Sequence, residues 1–283
     1  MARYYHIMYS HCTGIKGTWR NWHTRSVQNA VLARDWRFKS SRAHMNMEIL
    51  YEDKDILVIN KPAGLVVHPD GRTQESSVSE WFAQKYPESK DVGESIEKTS
   101  GEIIERAGVV HRIDRDTSGI LLLAKTKEGH AHLKEQFMNR EVEKIYHLFV
   151  HGQVKDDRGT INLPIGKSAS DFRKWSAQRG KKGELRESIT YFEVLKRSPE
   201  LGVTFVEAKP KTGRTHQIRV HFQALQNPVV ADPLYAGGKP RLLGFERLAL
   251  HARKITFKNL KDEKVSIEAP YPEDFKRAID SLG

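Results

Sequence analysis

The stretch HRIDRDTSGILLLA, at residues 111–124, is the most informative segment of the chain. Its second half is a continuous apolar run, which predicts a buried β-strand. Its first half is a polar turn that carries two acids and two arginines, namely Asp114, Asp116, Arg112 and Arg115. A carboxylate on such a turn is partly buried and charge-paired, which is an arrangement that suits a reactive acid. Taken alone, the segment is better explained as a charged turn capped by Thr117 and Ser118.

The segments around this strand predict an α+β fold with a mixed, mostly antiparallel central sheet and flanking helices and loops. Predicted strands lie at 49–51, 56–59, 145–150, 187–195, 203–208, 248–252, 254–257 and 265–269. Predicted helices lie at 77–85, 127–139, 215–226 and 273–282. Because the strands follow one another with few helices between them, a doubly wound sheet is disfavoured. Residues 88–105 and 166–186 are predicted to be exposed loops.

The composition favours a partner that carries negative charge. The chain has 283 residues, with 47 Lys and Arg against 36 Asp and Glu, and a formal net charge of +11. Its 38% of hydrophobic residues is enough for a packed core, so wholesale disorder is excluded. No apolar run approaches the ~18 residues that a membrane span needs. The basic excess indicates a polyanion, most simply nucleic acid.

The N terminus differs from the rest of the chain. Residues 1–47 carry eight basic side chains and one acid, and show no helical or strand periodicity. We therefore predict a basic leader at 1–46 and a folded domain at 47–283. The leader is a transit peptide, a flexible arm that gathers RNA, or an extension before a true start at Met45 or Met47. The single Cys12 excludes a disulfide scaffold and favours a reducing compartment, so we expect a cytoplasmic protein, or an organellar one if the leader is a transit peptide.

The segment at 166–186 concentrates positive charge. It holds seven basic residues against two acids, with Phe172 and Trp175 between them. Basic side chains interleaved with aromatic rings suit contact with phosphates and stacking on bases. We predict RNA contacts here, and the alternative is a solvated surface loop. The predicted RNA-binding residues of this segment are Arg173, Lys174, Lys181 and Lys182.

Several common chemistries have no motif in this sequence. There is no phosphate-binding loop of the G-x-x-x-x-G-K-[ST] type, no G-x-G-x-x-G after a strand and no G-x-S-x-G. His147 and His151 are four residues apart, but on a predicted strand that spacing does not converge on a metal. We therefore predict neither a cofactor nor a metal. A methyltransferase is also disfavoured, because its glycine-rich cofactor loop is missing.

Five segments, in order, resemble the landmarks of the RluA/RluD-type RNA pseudouridine synthase family. They are NKPAGLVVHP, HRIDRDTSGILLLAKT, EKIYHLFVHG, KTGRTHQIRVHF and RLALHA. The likeness runs from about residue 47 to the C terminus, and residues 1–47 do not resemble the small S4 RNA-binding domain with which many relatives begin. The resemblance implies the pseudouridine synthase fold, a catalytic cleft across the sheet, and a cofactor-free isomerisation of uridine in RNA.

The resemblance also implies roles for individual residues. Asp114 matches the catalytic aspartate, Arg219 its basic partner, and Tyr146 the active-site tyrosine. The aspartate acts as a nucleophile or as a base, and the sequence leaves both open. The target nucleotide must be flipped out of folded RNA, and Arg112 is the candidate to fill the vacated stack, with a phosphate contact or a structural ion pair as its alternative role. Other predicted RNA contacts are Arg115, Arg214 and His216. Lys61 is predicted to shape the pocket wall, and an RNA phosphate contact is its alternative role.

The likeness favours large-subunit ribosomal RNA as the substrate of a monomeric enzyme without a membrane anchor. Transfer RNA is the alternative substrate. A non-catalytic RNA-binding or ribosome-assembly factor on the same fold is the alternative function, although the intact Asp114, Tyr146 and Arg219 argue against it.

Overall fold

The computed structural model describes residues 47–69, 76–97, 106–178 and 181–283, together with residues 101, 103 and 104. The leader at 1–46, and with it each interpretation of that segment, lies outside the described residues. In the described part of the chain no helix is long and apolar enough to cross a membrane.

The secondary structure elements follow one another in a fixed order along the chain. They are β1 (Glu48–Glu52), β2 (Ile56–Lys61), α1 (Val78–Lys85), β3 (Ile96–Glu97), β4 (Ile103–Ile104), β5 (Ser118–Ala124), α2 (Lys127–Met138), β6 (Glu143–His151), β7 (Arg158–Asn162), β8 (Ile165–Ser168), β9 (Trp175–Ser176), β10 (Lys181–Arg186), β11 (Ile189–Ser198), β12 (Val203–Pro210), α3 (Gln217–Ala224), β13 (Leu250–Lys258), β14 (Lys264–Glu268) and α4 (Glu273–Asp280). A 3₁₀ turn at Pro87–Ser89 follows α1.

The main sheet has the strand order β1-β2-β5-β13-β6-β12-β11-β7, with β14 paired to β13. Neighbouring strands are antiparallel except β5 and β13, which are parallel. The predicted α+β fold with a mixed, mostly antiparallel sheet is therefore confirmed. The apolar run that followed the polar turn is β5, every residue of which is buried because the sheet is covered on both sides.

Gly119 makes the parallel pairing of β5 and β13 possible. It lies opposite Ala252, with a φ of +104°. A Cβ atom at this position would stand 2.3 Å from the carbonyl oxygen of Ala252, so a side chain has no room. This close approach places the turn before β5, and Asp114 on it, beside the central strands.

The four predicted helices are present, each within a few residues of its expected ends. Helix α1 begins with a capping box, in which the Ser77 hydroxyl accepts from the amide of Glu80 and the Glu80 carboxylate accepts from the amide of Ser77. The first turn of α1 is thereby satisfied locally, in keeping with the sequence pattern.

Three predictions about secondary structure are wrong. The segment at 166–186 is not a flexible loop, because β10, β8 and β9 pair there into a small three-stranded sheet. Residues 88–105 are not simply an exposed loop, because Val92 is buried and β3 pairs with β4. The strands expected at 248–252 and 254–257 are one strand, β13, with a register shift between Ala252 and Lys254.

Two large apolar clusters divide the main sheet. One contains β2, β5 and α1, including Ile113 just before Asp114. The other contains the inner parts of β6, β11 and β12 with α3 and α4, including Ile218 just before Arg219. Tyr146 packs against both clusters, so it marks the line where they meet.

Candidate active site

The turn that precedes β5 holds Asp114 at the wall of a cleft. The amide of Thr117 donates to the carbonyl of Asp114 at 3.1 Å, and the amide of Gly64 donates to the carbonyl of Arg115 at 2.9 Å. These hydrogen bonds fix the turn, and the Asp114 side chain, 20% exposed, lines the cleft. The backbone thus presents this carboxylate in one defined position.

Arg219, in the first turn of α3, contacts Asp114 and Asp232 at once. Its Nη1 donates to Oδ2 of Asp114 at 2.9 Å, while Nε and Nη2 donate to the Asp232 carboxylate at 2.7 and 2.8 Å. Burial opposes the charge of the guanidinium, but the hydrogen bonds to Asp232 and the charge of Asp114 outweigh burial and raise the pKa of Arg219. The structure therefore places a permanent cation against Asp114.

Asp232 is a site residue that the sequence reasoning missed. Its side chain has no exposed surface, and Oδ1 also accepts from the amides of Leu234 at 2.9 Å and Tyr235 at 3.1 Å. Every contact of this carboxylate thus serves to hold Arg219 or the following turn. The sequence does indicate a special role for Asp232, because this isolated acid directly follows the apolar residues 229–231. A charge that is buried with such residues needs a partner.

Tyr146 lines the same cleft from β6. Burial, followed by the nearby negative charge of Asp114, raises the pKa of its hydroxyl. The phenol is therefore protonated at neutral pH. An aromatic ring and a protonated hydroxyl stand beside the carboxylate, an arrangement that suits stacking on a base with the hydroxyl as a polar contact.

The cleft has a volume of about 490 Å³ and a basic rim. Besides Arg219, its lining includes five basic residues, namely Arg112, Arg140, Lys144, Lys211 and Arg214. Burial, and then the charge of Lys211, lowers the pKa of Lys144 to about 8. So many cations around one carboxylate create a positive potential that attracts a polyanion such as RNA.

The predicted RNA contacts near Asp114 occupy different positions. Arg112 is exposed and lines the cleft, with Nη1 3.3 Å from Nε2 of His68. Arg115 is exposed on the same turn and pairs with Asp116 at 3.2 Å. Arg214 lines the cleft, and its Nε donates to the carbonyl of Glu187 at 3.1 Å.

His216 lies at the N-terminal end of α3 and lines the cleft. Its imidazole makes no hydrogen bond that caps the helix. Instead, Nδ1 is 2.9 Å from the Tyr235 hydroxyl and Nε2 is 4.0 Å from Oδ1 of Asp114. Burial lowers the pKa of His216, which favours a neutral ring.

The prediction that Lys61 contacts RNA is wrong. The side chain is fully buried, and Nζ donates to the carbonyls of Pro62, Leu65 and Arg115 at 2.8, 2.8 and 2.9 Å. These three carbonyls can accept every hydrogen that the amine carries, whether it is charged or neutral, so none is left for a phosphate. Lys61 instead ties the end of β2 to the turn that carries Asp114.

None of the four predicted RNA-binding residues of 166–186 lines the cleft that contains Asp114. Arg173 is exposed and forms two hydrogen bonds with Asp171, at 3.1 and 2.9 Å. Lys174 lines a second pocket of about 320 Å³. Lys181 and Lys182 lie on β10, where Lys182 is exposed. Arg173 and Lys182, both exposed, give the small sheet and its turn a basic surface.

Known proteins resemble this chain in sequence over the region that builds the site. Residues 55–224 match the family described as RNA pseudouridylate synthase. A Bacillus subtilis protein named uncharacterized RNA pseudouridine synthase YlyB is 39% identical over 240 residues, or 84% of this chain and 73% of the relative. The Pseudomonas aeruginosa protein named ribosomal large subunit pseudouridine synthase D is 36% identical over 244 residues, or 82% and 70%.

A solved structure also resembles the fold. The human RNA pseudouridylate synthase domain containing 1 superposes with a TM-score of 0.64 and 28% sequence identity. The superposition covers 80% of this chain and 84% of the human one. The resemblance in fold therefore covers most of both chains.

Proposed function

The chain belongs to the RNA pseudouridylate synthase family, and on that premise we propose that it isomerises a uridine of large-subunit ribosomal RNA, with Asp114 as the catalytic carboxylate. The ribosomal substrate is supported by relatives from Pseudomonas aeruginosa and Xanthomonas campestris, both named ribosomal large subunit pseudouridine synthase D, at 36% and 35% identity. The basic rim of the cleft and the basic surface of the small sheet supply charge for a large RNA.

The contact between Asp114 and Arg219 is the observation that carries the assignment of Asp114. Formation of pseudouridine breaks the bond between the ribose and N1 of the base, turns the base, and joins it again through carbon 5. An ionised carboxylate beside the ribose serves this rearrangement as a nucleophile or as a base. Arg219 stabilises and orients that carboxylate by a charge-assisted hydrogen bond.

Base flipping brings the target nucleotide to Asp114. A uridine within folded RNA is not accessible to a carboxylate, so the nucleotide must leave its stack and enter the cleft. Arg112 lies two residues before Asp114 at the cleft wall and fills the vacated space in this proposal. Tyr146 stacks on the flipped base, with its protonated hydroxyl near carbon 5.

Release of tritium from RNA labelled at carbon 5 of uridine tests this proposal. We expect release from large-subunit ribosomal RNA by the unmodified protein and none by Asp114→Asn, which retains RNA binding. Asp116→Asn is the matched control, because Asp116 lies on the same turn and pairs with Arg115 rather than with Arg219. Normal release by Asp114→Asn would contradict the catalytic assignment. Release from transfer RNA alone would contradict the ribosomal substrate.

A further inference from the structure

His216 adopts a backbone conformation that few residues tolerate. Its φ is 55° and its ψ is 21°, in the left-handed region, where a non-glycine residue is strained. The strain does not serve the helix, since the side chain makes no capping hydrogen bond to α3. It does bring the imidazole into the cleft, with Nε2 facing Asp114. Five other non-glycine residues of the described chain also have a positive φ, so what distinguishes His216 is that its imidazole faces the carboxylate of Asp114.

A chain of hydrogen bonds fixes which nitrogen of His216 carries the proton. The amide of Trp175 donates to the Tyr235 hydroxyl at 3.0 Å, and that hydroxyl is 2.9 Å from Nδ1 of His216. Burial raises the pKa of Tyr235 to about 12, so its hydroxyl keeps its proton. Among the described residues, Nδ1 is the one acceptor for this proton. Nδ1 is therefore the unprotonated nitrogen, and Nε2 carries the hydrogen that points toward Asp114.

Nε2 of His216 and Oδ1 of Asp114 lie close enough together for a single atom to contact both. Oδ2 of Asp114 accepts a hydrogen bond from Arg219, whereas Oδ1 has no hydrogen-bond partner among the described residues. Oδ1 is 4.0 Å from Nε2 of His216. This separation is too long for a direct hydrogen bond. An oxygen atom can, however, lie at about 2.8 Å from both. Such an atom must accept from Nε2 and donate to Oδ1, and a hydroxyl meets both requirements.

We infer that Nε2 of His216 and Oδ1 of Asp114 together bind the 2′-hydroxyl of the target nucleotide, which makes His216 a determinant of ribose over deoxyribose. Within an RNA chain the 3′ and 5′ oxygens of the ribose are esterified. The 2′-hydroxyl is thus the one sugar group left that both donates and accepts. Uracil offers its donor and its acceptors on separate atoms. This inference rests on the proposed place of Asp114 beside the ribose.

A cycle that pairs protein variants with sugar variants tests the inference. The substrate is a short RNA that the unmodified enzyme converts, made with ribose or 2′-deoxyribose at the target uridine alone. For the unmodified enzyme we expect the deoxy substitution to lower kcat/KM about ten- to a hundred-fold, because the bound nucleotide would cover the donor and the acceptor and leave both unpaired. In His216→Asn, where asparagine tolerates the left-handed backbone, the ratio between the two substrates should shrink below about threefold.

Two further variants complete the cycle. Tyr235→Phe retains the imidazole but removes the hydroxyl that fixes its proton, so it should give an intermediate ratio between ribose and deoxyribose substrates. His132→Asn, on α2 and not among the residues that line the cleft, should keep the ratio of the unmodified enzyme. Equal deoxy effects in the unmodified enzyme, His216→Asn and Tyr235→Phe would overturn the inference, as would full activity of the unmodified enzyme on the deoxy substrate.

The outcome is separable from that of the proposed function. If ribosomal RNA is not a substrate, the cycle is run on whichever RNA the enzyme modifies, and the ribosomal assignment fails alone. If the enzyme converts an RNA but the ratio of kcat/KM between its ribose and deoxyribose forms is the same in every protein variant, the inference about His216 fails while the activity stands.

Discussion

The carboxylate of Asp232, which has no exposed surface, accepts two hydrogen bonds from Arg219, at 2.7 and 2.8 Å. The guanidinium is thereby held in one orientation before any RNA binds. Nη1 remains to contact Asp114, and Tyr235 covers the guanidinium, whose central carbon lies 5.0 Å from the centre of the ring. The position of the candidate catalytic carboxylate thus depends on a buried acid 118 residues further along the chain.

Substitution Asp232→Asn should lower both stability and activity. It leaves the buried Arg219 with a single carboxylate, and loss of one partner of a buried ion pair costs about 3–5 kcal/mol. Chemical denaturation measures the first effect, and tritium release at saturating RNA measures the second. Asp157→Asn is the control, because Asp157 is 86% exposed in its pair with Arg197 and should change the free energy of unfolding by less than about 1 kcal/mol. Equal stability of the two variants would contradict the role of Asp232.

Lys61 should make the stability of the protein depend on pH. Burial lowers its pKa in the folded protein from 10.5 to about 7. Between these two pKa values the unfolded chain binds a proton that the folded protein does not. The free energy of unfolding therefore rises by up to about 1.4 kcal/mol per pH unit, and this stability is lost as pH falls toward 7. Lys61→Met has no such group, so its free energy of unfolding should rise less than that of the unmodified protein between pH 7.5 and 9.5.

The control for this measurement is Lys54→Met, because Lys54 is exposed. Its free energy of unfolding should follow the same pH dependence as that of the unmodified protein. Parallel curves for the unmodified protein and Lys61→Met would show that Lys61 keeps the same charge in the folded and unfolded states.

Charge reversal at Lys181 and Lys182 should weaken RNA binding and flatten its dependence on salt. For each phosphate that the protein no longer neutralises, the slope of log K against log salt becomes shallower by about one. The measurement is the RNA dissociation constant at several salt concentrations. Lys276→Glu, on α4, reverses a charge that already pairs with Glu273 and should leave the slope unchanged. The same slope in the unmodified protein and in both variants would mean that the small sheet does not bind phosphates.

Gly119→Ala should destabilise the protein by about 3 kcal/mol or more. The new methyl group would stand 2.3 Å from the carbonyl oxygen of Ala252, and the φ of +104° is unfavourable for alanine. Gly213→Ala is the matched control, because a Cβ atom there has no neighbour within 4 Å and its φ is ordinary. Thermal unfolding compares the two variants. Similar midpoints would show that β5 and β13 can separate without loss of stability.

The sequence predicted those parts of the fold in which burial and periodicity agree. Strand β5 is apolar from residue 120 to residue 124, and α2 begins at the Thr126 cap, so both were located closely. Strands β8 and β10 were missed because Lys and Gly residues interrupt their patterns, and their pairing depends on partners in a small separate sheet. Such pairing is a tertiary effect that local propensity does not carry.

For the site, the family resemblance identified Asp114, Tyr146 and Arg219, and the structure brings them to one cleft. The resemblance did not point to Asp232 or Tyr235, which act through Arg219 and His216. An RNA contact stood as the alternative role of Lys61 because a lysine is usually exposed, and nothing in its neighbours showed that three carbonyls would enclose it.

The ion pair of Asp114 and Arg219 bridges the two apolar clusters of the main sheet. Asp114 follows Ile113 of the first cluster, and Arg219 follows Ile218 of the second. If the two clusters separated by even the width of a water molecule, the hydrogen bond between Arg219 and Asp114 would break. An inhibitor therefore need not imitate a nucleotide. A small molecule bound between the two clusters beside Tyr146 would inactivate the enzyme by holding the clusters apart.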